Sequence, residues 1–402
     1  MLGAALSINS AQIPLGLSPN LGAQPPFSYG DRHRWGGAAT AHQTAQPRRL
    51  AAPWLAMPIY HLLFTIYHPH VLIQTRPLII VNNAAARTRQ VWPVVRKQIE
   101  AGGVSFEVYQ TTQPGDATIK TRAALKSGVN TIAVVGGDGT LSEAAEGFFE
   151  FSERVTDLPS QINDEARLAI LPAGTGDDFA RSHIGRREPL EKWVDIFISH
   201  CRKHGQENIR VVDVLYGVCD GYKTPFICLN ASTMGIGGET AARVAAQGNL
   251  MRRFSGEARF AAAAVAALAG WRERRVRVSI DDREVIEGPM NLTAVANALY
   301  AGGGMMLSPQ AKIDDGKLDI ITASGLNRAQ VVRELARIHR GGHVANPKVR
   351  IVQGEGVSIE TFAPEDAMPI EADGNVRGFT PVEFRVMPGA LRFVVGKMAN
   401  GK

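Results

Sequence analysis

The amino-acid sequence predicts an α/β plus β chain: an N-terminal doubly wound, Rossmann-like domain followed by a C-terminal antiparallel β-sandwich. Three observations carry that prediction. Between residues 78 and 171, short apolar β-branched runs alternate with segments of helical period, as in a parallel sheet flanked by helices. Two of those runs end in glycine bends that bear acids and lead into helices, Gly136-Gly137-Asp138-Gly139-Thr140 and Gly174-Thr175-Gly176-Asp177-Asp178. After residue 206 the texture changes to strand-length runs separated by Gly, Pro and Asp turns.

Taken in order, residues 78–81 read as a buried strand, followed by the loop Asn82-Asn83-Ala84-Ala85-Ala86-Arg87 and a helix over 91–101. Residues 104–109 form the next strand, ending at Thr111-Thr112, and a helix over 117–126 starts behind Gly115-Asp116 and stops at Gly128. The run 131–135 lacks polar alternation, which marks a strand buried on both faces. Its glycine bend lets the backbone approach a ligand with no Cβ in the way. From Thr140 the pattern becomes helical and continues to residue 152, with glutamates in its first turns, where they suit the positive end of the dipole. Strand, glycine bend and helix N-terminus together make an anion cradle. A carboxylate inside it, Asp138, has a use where phosphate is held through Mg²⁺. The strand 168–171 and its loop repeat the design. A glycine turn can simply reverse the chain, but two such loops on one edge weaken that reading. In doubly wound sheets, ligands lie outside the strand carboxyl ends. Asn82, Thr111, the Asp138 bend and the loop after Leu171 all fall there.

Beyond residue 206, strand-like runs occupy 209–216, 224–230, 276–280, 291–296, 318–322, 349–352, 357–361, 368–372 and 382–386. Two helical stretches, 256–275 and 326–340, interrupt them. The first ends in Arg272, Arg274 and Arg275; the second carries Val331, Val332, Leu335 and Ile338 on one face against Arg328, Arg333, Arg337 and Arg340. These read either as solvated surface helices or as a basic face for anionic lipid headgroups. His339-Arg340-Gly341-Gly342-His343 reads as a turn rather than a metal pair. The boundaries expected are a leader over 1–75, an α/β domain over 76–207 and a β-rich domain over 208–387. A final run, 390–395, lies in the tail 388–402, which is expected to return to the first domain.

The chain has 402 residues, 45% hydrophobic and 20% charged, ordinary for a globular protein with two full cores. Its net charge of +6 is concentrated in the leader, and the near-neutral body does not look like a nucleic-acid binder. The three cysteines have no metal-ligand spacing and read as reduced thiols. Residues 1–50 lack periodicity and read as disordered or as translated sequence upstream of the functional start. Residues 50–67 are apolar for about the length of a membrane span, yet Pro53, Pro58 and His61 favour an interfacial anchor.

The motifs LPAGTGDDFARS and VVGGDGTLSEA together resemble the diacylglycerol kinase catalytic-domain family, and more closely the bacterial lipid kinases related to sphingosine and ceramide kinases. Gly-Gly-Asp-Gly-Thr alone is shared with NAD kinases and phosphofructokinases; the second motif is the specific one. The resemblance implies a kinase using ATP and Mg²⁺. Gly136, Gly137, Asp138, Gly139, Thr140, Leu141 and Ser142 would wrap the ATP phosphates, with Asn82, Thr111, Gly174 and Thr175 contacting the nucleotide. It also implies a structural Mg²⁺ at Asp315 with the carbonyls of Leu318 and Ile320, although an Asp-Gly turn between strands is sufficient there by itself. Ile370-Glu371-Ala372-Asp373-Gly374-Asn375 matches the family's Asp-Gly-Glu motif, where the general base is expected.

Three positions depart from that pattern. The first loop lacks the family's proline and glycine, Asp177 replaces an asparagine and adds charge near the metal, and Asn375 replaces the motif glutamate. An amide cannot take a proton from a hydroxyl, which leaves Asp373 as base, with Asp138 and Asp178 organising the metal. The expected activity is transfer of the γ-phosphate of ATP to a lipid hydroxyl such as that of diacylglycerol. The expected location is cytoplasmic, peripheral at the inner membrane face, with a homodimer left open. The alternatives are a turnover-impaired nucleotide-binding regulator, a kinase of a soluble hydroxyl compound and, more remotely, a NAD kinase.

Overall fold

The computed structural model describes residues 76–202, 208–221, 223–248 and 256–396. The leader, with its apolar run at 50–67, and the tail beyond 396 lie outside the described residues. The chain proceeds as β1 (Leu78–Val81), α1 (Ala86–Ala101), β2 (Glu107–Gln110), α2 (Asp116–Lys126), β3 (Thr131–Gly136), α3 (Asp138–Glu146), the short pair β4 (Phe149–Glu150) and β5 (Ser160–Gln161), β6 (Arg167–Pro172), α4 (Asp178–Ile184) and α5 (Leu190–Arg202). Then come β7 (Ile209–Cys219), β8 (Thr224–Cys228), β9 (Ala231–Gly235), α6 (Ile236–Ala245), α7 (Gly256–Gly270), β10 (Arg274–Ile280), β11 (Glu284–Met290), β12 (Leu292–Ala296), β13 (Tyr300–Ala301), β14 (Met305–Met306) and β15 (Leu318–Ala323). The described chain closes with α8 (Arg328–Ile338), β16 (Val349–Gly354), β17 (Gly356–Thr361), β18 (Pro369–Ala372), β19 (Asn375–Phe379) and β20 (Val382–Val394).

Strands β2, β1, β3 and β6 pair in parallel in that order. All six residues of β3 are buried, as expected of a strand covered by helices on both faces. Because these strands run the same way, Thr111, Asn82, Gly136 and Ala173 follow one another along a single carboxyl edge. The second half folds as an antiparallel sandwich. One layer is β11, β10, β17, β20, β7 and β8; the other is β16, β15, β12, β9, β18 and β19. Strand β10 shows how sequence makes such a layer: Val276, Val278 and Ile280 point into the core while Arg275 and Arg277 alternate outward. Phe226, Phe384, Ile320 and Ile370 fill the space between the layers.

Strand β20 ties the halves together. Its first part pairs antiparallel with β17, its last residues pair in parallel with β6, and β7 accompanies it throughout. The expected runs 382–386 and 390–395 are thus one strand, interrupted by an irregularity between Met387 and Leu391 that absorbs Pro388 and Gly389.

Three expectations are corrected. The helix expected over 140–152 starts at Asp138 and ends already at Glu146, because the apolar stretch after it turns into the β4 strand. The helix expected over 256–275 stops at Gly270, and Arg274 and Arg275 belong to β10. Strand β9 and helix α6 were not foreseen; alanine, serine and glycine give β9 weak strand propensity, Gly237 and Gly238 oppose a helix at the start of α6, and neighbours hold both instead.

Candidate active site

The two glycine bends meet. A Cβ on Gly174 would sit 2.5 Å from the Gly137 Cα, and one on Gly137 would sit 3.1 Å from the Gly174 Cα. Only glycine at both positions allows the strand ends of β3 and β6 to place their helix N-termini side by side. Asn82 Nδ2 donates to Thr140 Oγ1 at 2.7 Å and so braces the first loop against the bend. Thr111 is buried one strand further along, its N–H donating to the Val81 carbonyl. Thr175 is exposed at the tip of the second bend. Leu141 lies wholly in the core, and Ser142 is buried with its hydroxyl toward the Ile227 carbonyl at 3.4 Å, so neither side chain faces the cleft.

The acids fall into different surroundings. Asp138 accepts the backbone N–H of Asp178 and of Phe179, both at 3.0 Å, which makes its carboxylate the cap of α4. Burial, and then the negative charge of Asp178, push its pKa up to about 7 against the pull of those amides. Asp178 accepts the Gly303 N–H at 2.7 Å through Oδ2, while its Oδ1 is buried without a partner. Burial raises its pKa, opposed by the Gly303 and Gly304 amides and by Arg181. Asp177, expected to add charge near the metal, instead pairs with Arg187 at 2.9 Å and Arg87 at 3.7 Å and accepts the Gly174 N–H. Its extra charge is neutralised within the loop. Asp373, in the left-handed turn between β18 and β19, accepts the N–H of Leu229 at 2.6 Å and of Asn230 at 2.9 Å, one on each oxygen. It clamps the junction of β8 and β9.

Asp138, Asp178, Asp373 and Gly139 line a cleft of about 260 Å³ between the α/β half and the sandwich. A second cavity of about 460 Å³ adjoins the cleft, walled by α6, α7, α8 and the β12–β15 face, with Ala241, Val244, Leu268, Leu292 and Ile321 among its lining. Phe260, Ala301, Gly302, Glu371 and Gly374 border both spaces. Asp315 lies apart, exposed in the turn before β15, with its carboxylate accepting the Lys317 N–H; Leu318 and Ile320 are buried in that strand between β12 and β16. His343 is buried with Nε2 against the Leu307 carbonyl, beside a turn at Gly341. Among the described residues no three His, Cys, Asp or Glu side chains converge as a metal cage.

Sequence reasoning missed Glu371, Gly303 and Asn230 at this site. Glu371 stood inside the quoted motif without a role, and the run Gly302-Gly303-Gly304 was the signal for a backbone approaching the cleft.

A doubly wound half delivering two glycine bends to a cleft that continues into a β-sandwich defines a phosphotransferase of the lipid-kinase class. Residues 76–214 match the diacylglycerol kinase catalytic domain, and residues 234–395 the YegS C-terminal NAD kinase beta sandwich-like domain. A "probable lipid kinase YegS-like" of Stenotrophomonas maltophilia is 30% identical over 72% of this chain and 86% of its own length. A diacylglycerol kinase of Staphylococcus carnosus is 26% identical over 78% and 92% respectively. The crystal structure of a diacylglycerol kinase from Bacillus anthracis shares the fold, with a TM-score of 0.55 at 20% identity over 80% of this chain and 97% of that one. The chain belongs to this lipid-kinase family, whose members transfer phosphate to an alcohol group.

Proposed function

We propose that the chain transfers the γ-phosphate of ATP, with Mg²⁺, to a hydroxyl of a membrane lipid such as diacylglycerol. The observation that carries this reading is that the acid-lined cleft and the apolar cavity share walls, among them Phe260, Ala301 and Gly302. A phosphate donor on the glycine bends and a lipid tail among α6, α7 and α8 would then meet at that junction. In this reading residues 76–207 hold the nucleotide and residues 208–387 the acceptor. Asn82, Thr111 and the two bends line the nucleotide's path, and Asp315 with the Leu318 and Ile320 carbonyls is a separate structural cation site.

Phosphoryl transfer asks for positioning and charge stabilisation more than covalent chemistry. The unpartnered, buried Asp178 Oδ1 suits a cation, so Asp178 is the residue that would hold Mg²⁺. When bound, Mg²⁺ neutralises charge on the transferring phosphoryl group. Asp138 orients α4 and with it Asp178. The amides of Leu229 and Asn230, fixed by Asp373, set the opposite wall.

Support for work at a bilayer comes from apolar side chains rather than from the arginine face. Arg328 donates to the Leu268 and Ala269 carbonyls, and Arg333 and Arg337 pair with Glu334. Phe260, Val332 and Leu335, in contrast, are exposed where they border the cavity. Such a rim can lie in the headgroup region while a lipid enters. No helix among the described residues is long and apolar enough to cross a membrane.

Incubation with γ-labelled ATP, Mg²⁺ and vesicles of a total lipid extract tests the proposal, with one labelled lipid as the expected product. Label confined to a water-soluble compound would favour the soluble-acceptor alternative. Asn375 motivates a second reading, a nucleotide-binding regulator without turnover; ATP binding with no labelled product at all would favour it.

A further inference from the structure

We infer that Glu371 is the general base of this lipid kinase, taking the task that the amide at Asn375 cannot perform. The inference rests on the lipid-kinase reading above and goes beyond it by naming a residue for the proton.

Four carboxylates line the cleft, Asp138, Asp178, Glu371 and Asp373, and with Asp178 placed at the metal their geometry separates the other three. Asp138 is the cap of α4, and Asp373 holds two backbone amides on its two oxygens. Both line the cleft but not the apolar cavity. Glu371 lies on β18 and borders both the cleft and the apolar cavity, so its carboxylate stands where a lipid hydroxyl would pass from one to the other. Thr233 Oγ1 donates to Glu371 Oε2 at 2.6 Å, and the Gly374 N–H donates to Oε1 at 2.6 Å. Those two contacts fix the rotamer and leave further lone pairs on both oxygens. Asn375 sits on the other side of the same turn, its Nδ2 buried without a partner and 3.5 Å from where a Cβ on Gly139 would be. The family's position for the carboxylate and the position that Glu371 occupies thus flank one turn, one toward the phosphate bend and one toward the lipid cavity.

The step balances as follows. The acceptor O–H gives its proton to the Glu371 carboxylate, and the oxygen's lone pair forms the bond to the γ-phosphorus. The bond from that phosphorus to the β–γ bridging oxygen breaks, and its electron pair leaves on ADP. Glu371 then returns the proton to solvent.

Burial pushes the Glu371 pKa up to about 7, opposed by Thr233 and the Gly374 amide. A base poised there works near neutral pH. The charged or titratable groups facing it are Asp373 and Arg377 from its own hairpin, the buried Cys228 thiol of β8, Asp138 and Asp178 across the cleft, and Arg259, Glu334 and His343 around the cavity.

The test uses the full chain with γ-labelled ATP, Mg²⁺ and total-lipid-extract vesicles supplemented with diacylglycerol. Glu371→Gln should lower turnover about 100-fold or more while leaving the KM for ATP unchanged. The wild type should lose turnover as pH falls below about 7, and the variant should lack that acid limb. Glutamine can accept the Gly374 N–H through its oxygen and donate its amide N–H to the Thr233 hydroxyl, and it removes a carboxylate whose folded pKa is raised. The stability that such a group contributes is lost as pH rises through about 7, so at pH near 8 the variant should melt no lower than wild type. The double variant Glu371→Gln with Asn375→Glu should recover at least tenfold. Turnover of Glu371→Gln within about threefold of wild type, or an unchanged acid limb, overturns the assignment and leaves the lipid-kinase reading standing. A wild-type chain that labels no lipid overturns both.

Discussion

The side of the cleft proposed to hold phosphate and the side proposed to hold lipid are built from different materials. On the phosphate side, position is set by short directed contacts: glycine against glycine, Asp138 on two amides of α4, Asp178 on Gly303, Asp177 between two arginines. On the lipid side, α6, α7 and α8 surround about 460 Å³ with aliphatic and aromatic side chains. Directed contacts fail abruptly when one partner is changed, because a buried group is left unsatisfied. Apolar walls fail by degrees, in proportion to area and volume. The contrast matches the two ligands proposed. A triphosphate has one geometry, whereas lipid tails vary in length and unsaturation.

That contrast can be broken or sharpened by substitution. The largest effect is expected from Asp178→Asn, which keeps an oxygen for the Gly303 N–H and removes the charge proposed to hold Mg²⁺. Turnover should fall about 1000-fold, with a raised Mg²⁺ requirement and little change in thermal midpoint. Equal activity at equal Mg²⁺ would show that Asp178 has only a structural task. Gly174→Ala comes next. Its Cβ would press on the Gly137 backbone, a clash that costs about 1–3 kcal/mol and moves the bends apart. A drop in both thermal midpoint and kcat, of about tenfold to 100-fold, is expected from melting curves and ATP kinetics. An unaffected enzyme would mean the bends tolerate separation. The smallest effect belongs to the lipid side: Val332→Glu should weaken vesicle co-sedimentation about fivefold, through loss of roughly one buried aliphatic side chain. Its kcat with detergent-dispersed lipid should stay near wild type. A loss of 100-fold or more there would erase the distinction between abrupt and graded walls.

The parallel strands were legible because their sequence carries the signal locally. An unbroken β-branched run such as Thr131–Gly136 has few alternatives to a strand covered on both faces. The alternation in Arg274–Ile280 is equally local. Helix α6 was not legible, since Gly237 and Gly238 argue against a helix when read alone. A Cβ on Gly238 would lie 2.0 Å from the Pro369 carbonyl oxygen, so the glycine serves packing against β18 rather than helix propensity. Strand β20 was read as two pieces because proline and glycine normally end a strand, and only its pairing with β7 on both sides of the break shows its continuity.

The sequence by itself determined the fold class, the two glycine bends and the family motif in which Glu371, Asp373 and Asn375 lie. Which backbone amides each carboxylate meets was settled by the folded arrangement alone. Asp138 meets the amide of a residue 40 positions away, and Asp373 meets amides 144 and 143 positions away. An aspartate that caps a helix and one that faces a ligand look the same in sequence, because their difference lies in which distant N–H groups folding brings against them.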